Sequence, residues 1–333
     1  MEGIEMAKKI FFGNYKGGVG KTTTVFEIGA QLAAKYQQKV LLIDLDPQCS
    51  LSKICEGSTN INLNILPVDQ TLNYVLELYG EYISQATRLQ FFEKSITSKY
   101  SAIQYAIQNI KKHSKKGGSL DFIPTVLDLK NSRISDIADR FSGSSLNILV
   151  IAKLLSDIEN GDKNYDFILI DCPPTSNIII QSVFLASDYY LIPTIGDEIS
   201  TDGVADYITE IESTYLKYAY DNNIGGVLLK YYFGDRPCLI GVLETLYKGR
   251  PGQRDMSVLK ALDDAICAVK PSSMITATDY TYKDFKHIFN IKIPHLDNRS
   301  NPSNYGIPIT LNNGDIHREY DQITEYIWNI LQD

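Results

Sequence analysis

Two lysines, Lys16 and Lys21, bracket a run of glycines in Lys16-Gly17-Gly18-Val19-Gly20-Lys21-Thr22-Thr23. Glycines permit positive φ and let backbone N–H groups close on an anion. A lysine beside them adds a point charge for the β- and γ-phosphates of a nucleotide, and the Thr22 hydroxyl is placed to ligate Mg2+. Carboxylates follow at the ends of two apolar runs. Asp44 and Asp46 close the apolar run in Lys39-Val40-Leu41-Leu42-Ile43-Asp44-Leu45-Asp46-Pro47-Gln48, and Asp171 closes Phe167-Ile168-Leu169-Ile170-Asp171. Asp44 and Asp46 flank Leu45, so on a strand both face one side.

The elements that must hold these groups are legible around them. Lys8–Asn14 reads as a short buried strand. After the loop, Val25, Phe26, Ile28, Leu32 and Ala33 recur at helical spacing. A loop joining a strand to a helix N-terminus is the setting in which phosphates are cradled. Further apolar runs at Leu120–Leu129, Tyr165–Asp171, Ala186–Thr194, Ile224–Tyr232 and Phe289–Pro294 read as strands, and Arg318–Leu331 reads as a closing helix with Ile323, Tyr326, Ile327, Ile330 and Leu331 on one side. Strands alternating with helices predict an α/β fold, a doubly wound, mostly parallel sheet with helices on both faces. Ligands in such sheets bind outside the carboxyl ends of the strands.

Bulk properties narrow the class. The chain has 333 residues, long for one domain but suited to a single α/β domain, 1–333, with helical insertions near 59–118 and 233–282. Helical patterns at Thr71–Ile83, Ser101–His113 and Leu259–Lys270 motivate those insertions. A net charge of −8 argues against constant nucleic-acid binding through bulk charge, although local basic patches exist. Five scattered cysteines without a CxxC pair imply reduced thiols and a cytoplasmic setting. No apolar run reaches the ~18 residues of a membrane span, and the N-terminal stretch does not read as a secretory signal.

The usual phosphate loop, G-x-x-x-x-G-K-[ST], is not met, because Tyr15 stands where its first glycine belongs. The segment Lys16–Thr23 instead resembles the deviant phosphate loop of the ParA/MinD family of partition and positioning ATPases. Asp44-Leu45-Asp46-Pro47-Gln48 resembles that family's second motif, and Tyr165–Thr175 its Walker B segment. The likeness continues through most of the chain as a string of α/β units. It implies a P-loop NTPase fold, ATP and Mg2+ as cofactors, and a nucleotide held by Lys16, Gly17, Gly18, Val19, Gly20, Lys21, Thr22 and Thr23, with the loop after Pro294 on the adenine side. It implies Mg2+ held by Thr22, Asp44 and Asp171, with Lys16, Lys21 and Asp46 catalytic. Lys21 acts in cis, Asp46 positions the attacking water, and Lys16 reaches the nucleotide of the partner across an ATP-dependent homodimer, in the manner of an arginine finger.

The resemblance further implies hydrolysis stimulated by a ParB-like activator and non-specific DNA binding on the nucleoid, in the service of moving plasmid or chromosomal DNA. A positioning ATPase for a protein cargo would use the same site. Lys248, Arg250 and Arg254 are the preferred DNA contacts, with Lys260 nearby. The lysines Lys111, Lys112, Lys115 and Lys116 form a second basic cluster, and solvated loop charge is the plain reading of both. A membrane surface is not expected, since the last helix carries Asp321 and Glu325 and little basic charge. No long N-terminal extension precedes the loop, so an added operator-binding domain is not expected. Cysteine context disfavours a shared Fe–S cluster, and no guanine-specific [NT]KxD motif occurs. A P-loop ligase or synthetase that activates a small substrate with ATP stays open as another class.

Overall fold

A buried apolar strand, Lys8–Phe12 (β1), starts the sheet because Ile10 and Phe12 can pack on one side while Phe11 packs on the other. The same alternation runs through β2 (Lys39–Asp44), β5 (Phe167–Asp171) and β6 (Tyr189–Thr194). Leu41, Ile43, Ile168, Ile170 and Ile192 join Phe11 in one core, and Val40, Leu42, Leu169 and Leu191 join Ile10 and Phe12 in the other. Runs that are apolar on both faces belong in a sheet covered on both faces. Each fully buried Ile, Leu or Phe contributes about 1.5–3 kcal/mol of transfer free energy.

The computed structural model describes residues 6–85, 105–106, 118–127, 129, 131–196, 198–220, 233–248, 256–269, 271, 281–282, 285, 287–295, 306–311 and 318–332. Among them the sheet has the order β3-β4-β2-β5-β1-β6-β7-β8, with β3 (Tyr105–Ala106), β4 (Ser119–Ile123), β7 (Cys238–Tyr247) and β8 (Ile288–Pro294) completing it. All pairings between these strands are parallel except the short β3–β4 pair at one edge. The helices α1 (Lys21–Ala34), α2 (Ser50–Glu56) and α9 (Arg318–Ile330) cover the Ile10 face. The Phe11 face is covered by α3 (Leu72–Gln85), α4 (Ile134–Phe141), α5 (Val150–Glu159), α6 (Ile178–Ala186), α7 (Glu198–Tyr220) and α8 (Met256–Val269).

Three sequence expectations change. The segment 233–282, read as a helical insertion, contains β7, which lies between β6 and β8. Its Leu-Ile-Gly-Val-Leu run is buried on both faces, the signature of an interior parallel strand rather than of a half-exposed one. The expected strand at 224–232 lies outside the described residues. Within Ser101–His113, read as helical, Tyr105–Ala106 instead pairs antiparallel with Phe122 and Asp121; the remainder, with Lys111, Lys112, Lys115 and Lys116, lies outside the described residues. The strand expected over Leu120–Leu129 stops at Ile123, before Pro124, which lacks the N–H a continuing ladder needs. The closing helix holds as read, burying Tyr320, Ile323, Tyr326, Ile327 and Leu331 against α1 and β8.

Candidate functional site

The loop between β1 and α1 turns on two glycines with positive φ, Gly18 at 70° and Gly20 at 76°. Gly20 is also the residue that caps α1, and it offers no side chain to the first helical turn. The leading N–H groups of α1 therefore face an incoming anion instead of a built-in cap. Asn14, buried just before the loop, fixes its shape. Its Nδ2 donates to the Pro193 carbonyl at 2.9 Å, and its Oδ1 accepts from the Lys16 N–H at 3.0 Å. On the far side Thr245 of β7 donates to the Val19 carbonyl at 2.6 Å.

Lys21 is folded back over the loop. Its Nζ donates to the carbonyls of Asn14 at 3.2 Å and Lys16 at 3.0 Å, and burial lowers its pKa even though Asp171 and Asp46 pull the other way. A buried ammonium held only by neutral carbonyls gains from a phosphate oxyanion. Lys16 contributes that backbone carbonyl, and its half-buried side chain is not among those lining the cavity described below.

Strand register brings the acids together. Asp44 and Asp171 are direct neighbours at the carboxyl ends of β2 and β5, and Phe12 of β1 lies beside Asp171. Thr22 donates to Asp171 Oδ2 at 2.7 Å, while Asp171 Oδ1 is buried without a partner. Burial first, then the neighbouring Asp44, raises the Asp171 pKa well above the carboxylate range. Asp44 is pushed up to about 7 by burial. Its oxygens accept from the N–H groups of Asp46 at 3.1 Å and Ser52 at 2.8 Å, so it also anchors the turn into α2. Asp46, half-buried, accepts from the Gln48 N–H at 2.8 Å and lines the cavity.

These residues suit a hard divalent cation. An orphaned buried carboxylate oxygen, a hydroxyl 2.7 Å from its partner oxygen and a second carboxylate next in register form an oxygen donor set with uncompensated negative charge. Mg2+ bound there would join Thr22 and Asp171, with Asp44 and Asp46 close by.

A cavity of about 760 Å3 opens over this set. Gly17, Gly18, Val19, Gly20, Lys21, Thr22 and Thr23 form one wall, with Asp46 and Thr175 at its side. Ile293, Pro294, His295, Ile309 and Tyr320 form the opposite, more apolar wall, large enough with the first for a nucleotide. Of the proposed DNA contacts, Lys248 is exposed just beyond β7, Lys260 is exposed on α8, and Arg250 and Arg254 lie outside the described residues.

Sequence reasoning passed over several residues that build this site. Glu27 of α1 is fully buried and accepts from the Ile309 N–H at 2.8 Å and the Thr310 hydroxyl at 3.0 Å, tying the apolar wall to the phosphate helix. Burial pushes its pKa up to about 7. Thr24, one turn earlier, meets the Tyr320 hydroxyl at 3.3 Å. The signal was present: Glu27 is the lone acid of α1, set among Val25, Phe26 and Ile28. Asn14 and Thr245 carried no comparable signal.

A family model described as an AAA domain matches residues 7–224. The virulence plasmid ParA family protein pGP5-D of Chlamydia psittaci is 29% identical over 279 residues, covering 81% of this chain and 87% of that protein. Among solved structures, apo McdA from Cyanothece superposes with a TM-score of 0.63 at 19% identity, covering 96% of this chain and 99% of that one. The pNOB8 ParA bound to nonspecific DNA gives 0.60 at 21% identity, covering 98% and 99%. Cobyrinic acid a,c-diamide synthase from Mycobacterium smegmatis, with an ATP analogue and magnesium, gives 0.57 at 20% identity, covering 98% and 97%.

Proposed function

The chain belongs to the ParA/MinD family of AAA-domain ATPases, with ATP and Mg2+ as cofactors, and from that premise we propose that its ATP-bound form pairs with a second copy and binds DNA without sequence preference. The observation that carries this reading is the division of labour between the two loop lysines. Lys21 lines the cavity, while Lys16 gives the loop its carbonyl and lies off the cavity wall. A lysine placed this way serves a nucleotide it does not itself enclose. In a two-fold pair each copy lends Lys16 and receives one, so the γ-phosphate becomes part of the interface.

In this reading Gly17–Thr23 grip the phosphates, Thr22 and Asp171 hold Mg2+ with Asp44 beside them, and Asp46 positions the attacking water. The bound ion supplies charge neutralisation for the departing phosphates. Pro294 packs on the adenine side. Lys248, with Arg250 and Arg254, supplies phosphate contacts that pairing doubles, which makes DNA binding steeply salt-dependent. The nonspecific DNA bound by pNOB8 ParA and the plasmid context of the Chlamydia psittaci protein support a DNA-partition role; a ParB-like activator and a nucleoid location complete this reading as proposals. Among the described residues no helix is long and apolar enough to cross a membrane.

The test is binding to random-sequence duplex DNA with a slowly hydrolysed ATP analogue, against ADP, beside Lys16→Ala. Binding in the ATP form alone, lost in Lys16→Ala while nucleotide affinity is kept, supports the reading. Absence of DNA binding at low salt in both forms overturns it and leaves a protein scaffold. A second reading, an ATP-dependent synthetase, is favoured by the fold shared with the Mycobacterium smegmatis enzyme. It requires ATP turnover that depends on a small carboxylate acceptor rather than on DNA.

A further inference from the structure

Far along the chain from the phosphate loop, three side chains of different chemistry converge. Asp263 and Cys267 lie four residues apart on α8, the spacing that places both on one helix face. His287 immediately precedes β8, and its carbonyl accepts from the Val242 N–H of β7 at 2.8 Å, which seats it on the sheet. His287 Nδ1 is 2.8 Å from Asp263 Oδ1 and 3.9 Å from Cys267 Sγ, and that sulfur is 3.9 Å from Asp263 Oδ2. One ligand atom from each residue fits within 4.8 Å of the others.

We propose that Asp263, Cys267 and His287 bind a zinc-class divalent cation, with water as the fourth ligand. Zn–N and Zn–O bonds of about 2.0 Å and a Zn–S bond of about 2.3 Å place tetrahedral ligand atoms about 3.3–3.7 Å apart. The observed separations of 2.8 and 3.9 Å straddle that range, so small side-chain rotations on fixed backbones suffice. Thiolate and imidazole select zinc or a similar transition ion over Mg2+, which takes oxygen ligands. The site is therefore chemically separate from the oxygen-only set at Asp171. Cys267 is exposed and Asp263 half-buried, so the fourth position opens to water, while buried His287 anchors the base. Binding exchanges the thiol proton for the metal, releasing H+ to solvent without change of oxidation state.

The consequence is a clip between α8 and the start of β8. The far end of β8, at Ile293 and Pro294, lines the nucleotide cavity. Metal occupancy thus braces the strand that carries one wall of the nucleotide site.

The experiment uses the full chain, stripped with a chelator and then saturated with MgADP so that the phosphate site is occupied. Zn2+ is titrated calorimetrically in two buffers of different ionisation enthalpy, and Co2+ is titrated by absorbance. The expected result is one equivalent of Zn2+, proton release on binding, and a thiolate-to-cobalt charge-transfer band. Outer partners of metal ligands alone change affinity by about 10–100-fold, so Cys267→Ser and His287→Gln should each weaken binding at least about tenfold. Cys267→Ser is also expected to abolish the charge-transfer band while leaving the circular dichroism spectrum unchanged. Stoichiometric Zn2+ binding that survives Cys267→Ser, or no binding above micromolar affinity in the wild-type chain, overturns the proposal and leaves Asp263 and His287 as a hydrogen-bonded strut.

Discussion

Lys9 within β1 and Lys21 beyond its carboxyl end sit beside cavities of about 760 Å3 each, yet they are built in opposite ways. At the amino end of β1, Lys9 Nζ is 3.0 Å from Glu159 Oε1 and 3.3 Å from Asp188 Oδ2. Burial pulls its pKa down, but Asp188 and Glu159 outweigh that and leave it raised. At the carboxyl end, burial wins and Lys21 is lowered, while an oxygen of Asp171 has no partner. One end is electrostatically closed and holds the sheet to α5. The other end is open and is completed from outside. Cavity size does not distinguish them; unmatched charge does.

The largest effect that would sharpen this contrast is at Lys21. Lys21→Ala is expected to reduce ATP affinity by about 100-fold or more, the cost of a lost charge-assisted phosphate contact, roughly 3 kcal/mol. Its melting temperature without nucleotide should hold or rise, because an under-compensated buried charge is removed. A clear loss of stability, read by thermal denaturation, would break the contrast. Lys9→Met should do the reverse, costing about 2–3 kcal/mol through two abandoned carboxylates, discounted for the partial exposure of Asp188, with ATP affinity unchanged in a fluorescent-nucleotide assay.

Glu27 offers a pH test. Its folded pKa of about 7 lies above its ordinary value of 4.5, so the folded chain holds a proton that the unfolded chain has lost between those values. Stability from this group is complete below about pH 4.5 and declines as pH rises to about 7, by roughly 2–3 kcal/mol. Denaturant melts at pH 5 and 7.5 should show a smaller decline in Glu27→Gln than in the wild-type chain, and an equal decline would remove Glu27 as the cause. The smallest effect is at Asp171. Asp171→Asn should stabilise the chain without ligand by about 1 kcal/mol, because burial beside Asp44 penalises the carboxylate that Asn replaces. It should also erase the extra thermal shift that Mg2+ adds to ATP in the wild-type chain, and retention of that shift would move the ion elsewhere.

The phosphate half of the site was legible because its chemistry is local. Gly17–Thr23, Asp44, Asp46 and Asp171 each belong to a short segment whose strand or helix can be read from periodicity. The sheet's parallel, doubly wound plan was legible for the same reason. The apolar wall was only touched at Pro294, because it is assembled from α9, β8 and 306–311 by contacts to Glu27 and Thr24 that no spacing encodes. Strand β7 was missed because an apolar run of mixed Leu, Ile and Val reads equally as buried helix or interior strand until its neighbours β6 and β8 are placed. The trio of Asp263, Cys267 and His287 was invisible for a similar reason: two residues of one helix have to meet a histidine just ahead of β8.

The two walls of the nucleotide cavity also differ in when they come into existence. The phosphate wall is fully synthesised by Thr175, but the wall opposite waits for Ile309 and Tyr320. At about 5–20 residues per second, the roughly 145 residues between Thr175 and Tyr320 take about 7–30 s to emerge from a ribosome. Throughout that interval a nascent chain has no second wall with which to clasp ATP. Enclosure of the cavity by both walls therefore follows synthesis of Tyr320, when α9 can dock onto α1.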